Sequence, residues 1–140
     1  MRFDCGKAEA GMSSLRVLVV EDFAPFRQLI SSTLAKRRNL EVVCQVSDGL
    51  EAVRKAEELK PDLILLDIGL PTLNGIEAAR RIRELAPESK IIFLSQECSA
   101  DVVEEALRLA QGYVVKTRAA SELLPAVEAA VSEKQFVGGR

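Results

Sequence analysis

Five polar residues end or follow apolar segments that are typical of buried β-strands. The stretch Leu63–Pro71 (LILLDIGLP) shows the pattern best, because a run of apolar residues leads directly into Asp67. Burying an unpaired carboxylate is costly, so Asp67 is either a turn residue just outside the sheet or a residue placed there for chemistry. The other residues in equivalent positions are Glu21, Asp22, Ser95 and Lys116.

Three carboxylates, a hydroxyl and an ammonium could together receive a phosphoryl group. Carboxylates within a few ångströms of one another repel, and a hard divalent cation such as Mg2+ relieves that repulsion. A lysine adds a movable positive charge, and the metal and the ammonium together neutralise the oxygens of a transferring group. Asp67 ends the central strand and is the expected nucleophile. Each residue alone also fits a turn or a helix cap, and Asp22 could simply cap the helix that follows it.

The elements that must position these residues alternate regularly along the chain. Apolar runs predict five strands, and apolar stripes at helical spacing predict a helix after each strand. The strands are expected at 15–20, 41–46, 62–67, 90–95 and 112–116. The helices are expected at about 24–38, from the N-cap Asp48 to Lys60, across Ile76–Leu85, at 101–109 and from 121 to about 134.

Local signals add detail to the helices. Asp48 with Glu51 three residues later is a capping box. Pro125 is expected near the first turn of the last helix, where proline costs least. The first helix carries one apolar stripe, made of Phe26, Leu29, Ile30 and Leu34.

Strands separated by single helices indicate parallel pairing through right-handed crossovers. The predicted architecture is therefore an α/β fold, an open and doubly wound sheet with helices on both faces. Such sheets place their sites beyond the carboxyl ends of the strands, near the point where the strand order reverses. We therefore expect the five polar residues to gather at one edge of the sheet.

Composition excludes several classes of function. The chain has 140 residues and suits one domain, and its net charge of -2 gives no sign that it binds nucleic acid by itself. Histidine is absent, which removes Ser-His triads and histidine-based zinc sites. The three cysteines are widely spaced and odd in number, so we expect no disulfide framework and a reducing, cytoplasmic setting. No apolar run approaches the roughly 20 residues that span a bilayer, so no membrane partner is expected.

A set of motifs gives these residues a family context. The motifs are the acidic pair Glu21-Asp22, LLDIGLPTLNGIEAARRIR with Asp67, Pro71 and Gly75, IIFLS with Ser95, and GYVVK with Tyr113 and Lys116. Together they resemble the receiver domain of a two-component response regulator, from about Leu15 to Ser132. GYVVKTRAASELLPAVEAA and the closing FVGGR most resemble the LuxR/NarL-type subgroup, in which a helix-turn-helix DNA-binding domain follows the receiver.

The resemblance implies a flavodoxin-like sheet with strand order 2-1-3-4-5 and a phosphoacceptor switch. Asp67 would take a phosphoryl group from a phosphohistidine on a sensor histidine kinase. Lys116 and Ser95 would contact the phosphoryl oxygens. The metal, Mg2+, would be held by Glu21, Asp22, Asp67 and the backbone carbonyl of Gly69. The domain would not be an enzyme in the usual sense, because it catalyses only its own phosphorylation and dephosphorylation.

The resemblance also implies how the signal leaves the site. Ser95 would move toward the new phosphate, and the ring of Tyr113, by default half-buried, would swing inward. This repacks the face made by the fourth helix, the fifth strand and the fifth helix, where a second copy could form a homodimer. DNA would be contacted only through a helix-turn-helix domain that these 140 residues lack. The chain is then either part of a longer protein or a receiver that acts alone.

The expected domain boundaries are a flexible tail at 1–13, the receiver at 14–134, and the start of a linker or C-terminal tail at 135–140. One segment departs from the family pattern, because LRLAQGYVVK is one residue shorter than usual before Gly112. It also lacks the glycine that normally closes the fourth helix, so that helix is expected either to end early or to be poorly ordered. Glu97 and Gly69 follow Ser95 and Asp67 by two residues, where family members tune the phosphate lifetime.

Two other hypotheses compete with the switch. A binding-only pseudo-receiver would keep the fold without phosphotransfer, but it predicts a lost nucleophile or lysine, and both are present. A small enzyme could share the fold. A flavin mononucleotide binder needs a Ser/Thr/Gly-rich loop where this chain has EDFAPF, and a haloacid-dehalogenase-type phosphatase needs a second acid two residues after Asp67. A P-loop nucleoside triphosphatase is excluded because its motif, G-x-x-x-x-G-K-[ST], is absent.

Overall fold

A computed structural model of the protein describes residues 14–96, 99–132 and 136–138, so the expected tail at 1–13 and Glu97 lie outside the described residues. The strands are β1 (Leu15–Val20), β2 (Leu40–Val46), β3 (Leu63–Asp67), β4 (Lys90–Ser95), β5 (Gly112–Val115) and β6 (Phe136–Val137). The helices are α1 (Ala24–Leu34), α2 (Gly49–Leu59), α3 (Gly75–Leu85), α4 (Ala100–Leu109) and α5 (Ala119–Val131). A short 3-10 turn, Lys116–Arg118, joins β5 to α5.

The strands pair in parallel in the order β2-β1-β3-β4-β5-β6. The first five confirm the predicted flavodoxin-like order 2-1-3-4-5. The chain leaves β1 toward β2 on one side and crosses back to β3 on the other. The order therefore reverses beside β1 and β3, which are the two strands that end in acidic residues.

The sixth strand was not expected. Phe136–Val137, assigned from the sequence to the start of a linker, instead pairs with Gly112 and Tyr113 of β5. The N–H of Gly138 continues this ladder and donates to the carbonyl of Tyr113 at 2.7 Å. The sequence did not predict this strand because two residues are too few to show a hydrophobic pattern. The strand forms because the edge of β5 offers backbone N–H and C=O groups that a nearby segment can pair with.

The core lies in two layers, because alternate residues of each buried strand point to opposite faces of the sheet. Helices α2, α3 and α4 cover one face, over residues such as Leu18, Ile64, Phe93 and Tyr113. Helices α1 and α5 cover the other face, over residues such as Val19, Leu65, Ile92 and Val114. None of the helices in the described part of the chain has both the length and the hydropathy that a bilayer crossing requires.

Helix α1 is shorter than predicted, and one residue of its predicted buried stripe is exposed. It ends at Leu34, where the sequence suggested about residue 38. Leu29 was placed on the buried stripe but is 40% exposed, whereas Ile30 is fully buried. Besides Ile30 and Leu34, the buried residues of the helix are Thr33 and Arg27, which precedes Ile30 by about one helical turn.

The end of α4 shows how the chain manages without the missing glycine. The helix runs to Leu109 and does not end early, and the next residue, Ala110, is extended (φ -135°, ψ 160°). Gln111 then fixes the entry to β5, because its N–H donates to the carbonyl of Ile91 and its side-chain oxygen accepts the Ile91 N–H, each at 2.8 Å. An extended exit replaces the left-handed turn, so the shorter segment does not disturb the sheet.

Helix α5 begins at Ala119, two residues before the predicted start, because the 3-10 turn runs directly into it. Pro125 therefore lies inside the helix and not in its first turn. Proline has no N–H, so the helical hydrogen bond to the carbonyl of Ser121 cannot form.

Cys44 lies in the core as expected, with 1% exposure, but it is disulfide-bonded. The expectation that the cysteines form no disulfide is therefore wrong for this residue. An odd number of cysteines leaves one thiol over, but it does not prevent one pair from forming.

Candidate functional site

The predicted site residues all lie at the carboxyl edge of the sheet. Glu21 directly follows β1, Asp67 and Ser95 are the last residues of β3 and β4, and Lys116 directly follows β5. The ends of parallel strands meet at one edge, so residues from different parts of the chain become neighbours. They meet at an open groove of about 1010 Å³, whose lining includes Asp22, Asp67, Gly69, Ser95 and Lys116.

Lys116 connects the two strands that carry acids. Its Nζ lies 2.8 Å from Oε1 of Glu21 and 3.1 Å from Oδ2 of Asp67. The lysine side chain is only 13% exposed, and that of Glu21 is fully buried. An ammonium between two largely buried carboxylates experiences little screening by water, so these pairs are stronger than ion pairs on the surface.

Glu21 is fixed by its backbone neighbours as well as by the lysine. Its Oε2 accepts the N–H of Phe23 at 3.0 Å, whereas no well-directed hydrogen bond from the described residues ends on Oε1. The contact of Oε1 with Lys116 is therefore an ion pair by distance. Burial raises the pKa of Glu21 and the charge of Asp67 raises it further, while Lys116 and the Phe23 N–H oppose this shift without cancelling it.

The pKa of Lys116 is also raised. Burial alone would lower it, because desolvation disfavours the charged ammonium, but Glu21 and Asp67 more than offset this effect. The lysine therefore remains protonated at neutral pH. A group that stays cationic inside a groove is suited to bind an anion.

Asp67 is held against the start of α3. Its Oδ1 accepts the N–H of Gly69 at 3.1 Å, and the residue is 4% exposed. Gly75, the first residue of α3, packs so closely that a Cβ there would lie 2.2 Å from the carbonyl oxygen of Asp67. Only glycine allows this approach, so the LNG sequence before α3 places the helix directly on the aspartate.

The acidic residues have a donor set that suits a divalent cation. Carboxylate oxygens of Glu21, Asp22 and Asp67 all lie within 4.8 Å of one another. The three acids face one lysine, so the group carries more negative than positive charge. Magnesium prefers such oxygen ligands and would relieve the repulsion that raises the pKa of Glu21, so these residues fit the ion that the sequence implied.

The two residues expected to transmit the signal, Ser95 and Tyr113, are both buried. Ser95 is 6% exposed, lines the groove and pairs in register with Val115. Tyr113 is fully buried in the layer under α4, where the sequence suggested a half-buried ring. The expected inward swing of Tyr113 would therefore start from a ring that is already inside the core.

Sequence reasoning missed two residues of α1 that contact the site. Arg27 is 7% exposed, and its Nη1 donates to the carbonyl of Glu21 at 2.7 Å. The ring of Phe26 lies over Lys116, with 5.0 Å between Nζ and the ring centroid. A signal for Arg27 was present, because it precedes Ile30 by three residues and Leu34 by seven and so falls on the buried stripe. Phe26 was noted only as an apolar residue of that stripe.

Comparisons with known proteins agree with this fold. Residues 17–128 match the family model described as "Response regulator receiver domain". The chemotaxis protein CheY of Listeria monocytogenes is 36% identical over 117 residues, which cover 83% of this chain and 98% of CheY. The transcriptional regulatory protein LiaR of Bacillus subtilis is also 36% identical over 117 residues, but these cover only 56% of LiaR. The chain thus spans nearly all of CheY and about half the length of regulators such as LiaR.

Solved structures give the same result. A LuxR-family response regulator from Aurantimonas superposes with a TM-score of 0.83 at 30% identity, covering 89% of both chains. The receiver domain of a putative response regulator NarL from Mycobacterium tuberculosis superposes with a TM-score of 0.81 at 25% identity, covering 87% of this chain and 99% of that one. Most of the chain is therefore matched in sequence and in structure, and it belongs to the response regulator receiver domains, with receivers of the LuxR/NarL type among its structural neighbours.

Proposed function

We propose that the protein is a phosphoacceptor signalling switch and that Asp67 is the residue phosphorylated. A carboxylate oxygen of Asp67 attacks the phosphorus of a phosphohistidine on a sensor histidine kinase. The bond from phosphorus to the imidazole nitrogen breaks, a bond from phosphorus to the Asp67 oxygen forms, and the kinase imidazole leaves. The domain catalyses only this transfer to its own Asp67 and the later hydrolysis of the aspartyl phosphate, which releases inorganic phosphate.

The roles of the neighbouring residues follow from their charges. Glu21, Asp22, Asp67 and the backbone carbonyl of Gly69 would hold Mg2+, which supplies positive charge to the oxygens of the transferring group. Lys116 stays protonated and moves from its carboxylate partners to a phosphoryl oxygen. Ser95 donates its hydroxyl to another phosphoryl oxygen from the end of β4.

The output follows from the phosphoryl group, which carries nearly two negative charges beyond the end of β3. Movement of Ser95 and Lys116 toward it changes the packing around Tyr113 and the face formed by α4, β5 and α5. That face would bind partners or a second copy of the chain. In a cytoplasmic transcription regulator, DNA would be contacted by a helix-turn-helix domain outside these residues, as the match to half of LiaR suggests.

One observation carries the proposal: the Lys116 ammonium lies within 3.1 Å of Asp67 and beside an acidic cluster at the carboxyl edge of the sheet. A purely structural ion pair would need one carboxylate for one lysine. Here three carboxylates converge, and their mutual repulsion is unfavourable unless a further cation binds among them.

The direct test is to incubate the protein with Mg2+ and acetyl phosphate and to locate the modification by mass spectrometry. The wild type should gain one phosphoryl group on Asp67, and Asp67→Asn should gain none. Beryllofluoride with Mg2+ should form a stable adduct with the wild type and none with Asp67→Asn. Asp48→Asn is the matched control, because it removes the same charge, retains the helix cap and lies outside the groove. A wild type that neither reacts nor binds beryllofluoride would support the pseudo-receiver instead.

A further inference from the structure

The ammonium of Lys116 contacts the aromatic ring of Phe26 in addition to the carboxylates of Glu21 and Asp67. The ammonium lies 2.8 Å from Glu21 and 3.1 Å from Asp67 on one side, and 5.0 Å from the centroid of the Phe26 ring on another. An ammonium within about 6 Å of an aromatic face is attracted by the negative charge density of that face.

Two hydrogen bonds fix the first turn of α1, and with it the position of the Phe26 ring, relative to Glu21. The Phe23 N–H donates to the Glu21 carboxylate at 3.0 Å, and Arg27 donates to the Glu21 carbonyl at 2.7 Å. Phe26 lies between these two anchors in the sequence. Because both hydrogen bonds end on Glu21, they fix the first turn of α1, which carries Phe26, relative to the Glu21 carboxylate. The ring and the carboxylate are thus held together beside Lys116.

We propose that Phe26 is a positioning residue for Lys116 in the phosphoryl transfer, an inference that rests on the proposed function. A lysine side chain has four rotatable bonds, and ordering it costs conformational entropy. A third carboxylate could also order the lysine, but it would neutralise the charge that the phosphoryl oxygens need. The Phe26 ring attracts the ammonium through the negative charge density of its face, which restrains the lysine. Because the ring carries no net charge, the positive charge of the lysine remains available to the phosphoryl oxygens.

The geometry can be tested in the protein without any donor. The ε-methylene protons of Lys116 should show ring-current shifts in the NMR spectrum of the wild type. Phe26→Leu keeps an apolar wall but removes the ring, and those shifts should disappear. Phe26→Tyr keeps the ring and should retain them.

The function can be tested with a double-mutant cycle on the rate of phosphorylation by acetyl phosphate. Phe26→Leu should lower the rate about five-fold, the size expected of one partly exposed cation–π contact, and Phe26→Tyr should restore it. In the Lys116→Ala background the same Phe26→Leu change should have no further effect, because the ring acts through the ammonium. A loss of α1 structure would instead slow the reaction equally in both backgrounds.

The outcomes separate this inference from the proposed function. A wild type that is phosphorylated while Phe26→Leu reacts equally fast would overturn the role of Phe26 alone. Equal losses in both lysine backgrounds would also overturn it. If the wild type takes no phosphoryl group, the proposed function fails, and unchanged Lys116 shifts in Phe26→Leu would in addition overturn the contact itself.

Discussion

At the scale of single residues, the site depends on a lysine that is shared between Glu21 and Asp67. Such sharing keeps the ammonium charged and places it beside the proposed phosphoacceptor. It also means that the lysine opposes metal binding, because it already neutralises part of the acidic cluster. Lys116 should therefore matter for the response to a phosphodonor and not for holding Mg2+.

Lys116→Ala tests this division. The variant should bind Mg2+ at least as tightly as the wild type in calorimetric titrations, because a competing positive charge has been removed. Its response to acetyl phosphate should be poor, since nothing replaces the ammonium on the phosphoryl oxygens. Lys90→Ala, at the start of β4 and thus at the opposite edge of the sheet, is the control. A Lys116→Ala protein that responds as the wild type does would remove the lysine from its assigned role.

Most of the candidate site could be predicted from the sequence because topology alone brings strand ends together. Glu21, Asp67, Ser95 and Lys116 needed only the alternation of strands and helices to be placed at one edge. The contact of Phe26 with Lys116 could not be predicted, since it depends on the side-chain direction within the first turn of α1. Local periodicity also cannot reveal that a charged residue such as Arg27 is buried, unless its position on the stripe is given more weight than its charge.

At the scale of elements, the loop from β3 to α3 holds Asp67 in place and contains local strain. Thr72, in this loop, has φ of 69°, in the left-handed region. A β-branched residue is rarely found there because its side chain crowds the backbone. The loop keeps this conformation because α3 must begin directly on the carbonyl of Asp67, where Gly75 allows the close approach.

Thr72→Gly should relieve this strain. Relief of a left-handed conformation outweighs the added entropy of glycine in the unfolded chain, so the free energy of unfolding should rise by about 0.5–1 kcal/mol. Urea denaturation measures the change. Thr33→Gly is the matched control, because the same substitution inside α1 should destabilise the protein by about 1 kcal/mol or more. A destabilised Thr72→Gly protein would show that the threonine side chain contributes more than its backbone costs.

At the scale of the whole molecule, β6 completes the sheet by covering the edge of β5. Its backbone pairs with Gly112 and Tyr113, and a Cβ on Gly138 would lie 2.2 Å from Oε1 of Glu122 on α5. A side chain at residue 138 would therefore displace the end of the Glu122 side chain and crowd the carbonyl oxygen of Tyr113, which would lie 3.2 Å from the Cβ. The five predicted strands followed from their apolar runs. The pairing of β6 with β5 depends on long-range packing that no local pattern encodes.

Gly138→Val should loosen β6 while the remaining sheet persists, because the end of Glu122 must move and the carbonyl oxygen of Tyr113 is crowded. The amide of residue 138 should exchange with solvent faster in hydrogen-exchange NMR, because its bond to the Tyr113 carbonyl is weakened. Amides of the central strands, such as that of Val19, should exchange as before. Adding Glu122→Ala should restore part of the protection by removing the atom that the new side chain meets. Equal protection of residue 138 in Gly138→Val and wild type would contradict the tight fit.

Because β6 runs parallel to β5, it brings the polypeptide back from the far rim of the molecule, where α5 finishes, toward the rim that holds Asp67. A fluorophore or fusion partner attached at Gly138 would thus begin beside the middle of β5, part of the way toward that rim. The same attachment at the end of α5 would begin on the opposite side of the domain.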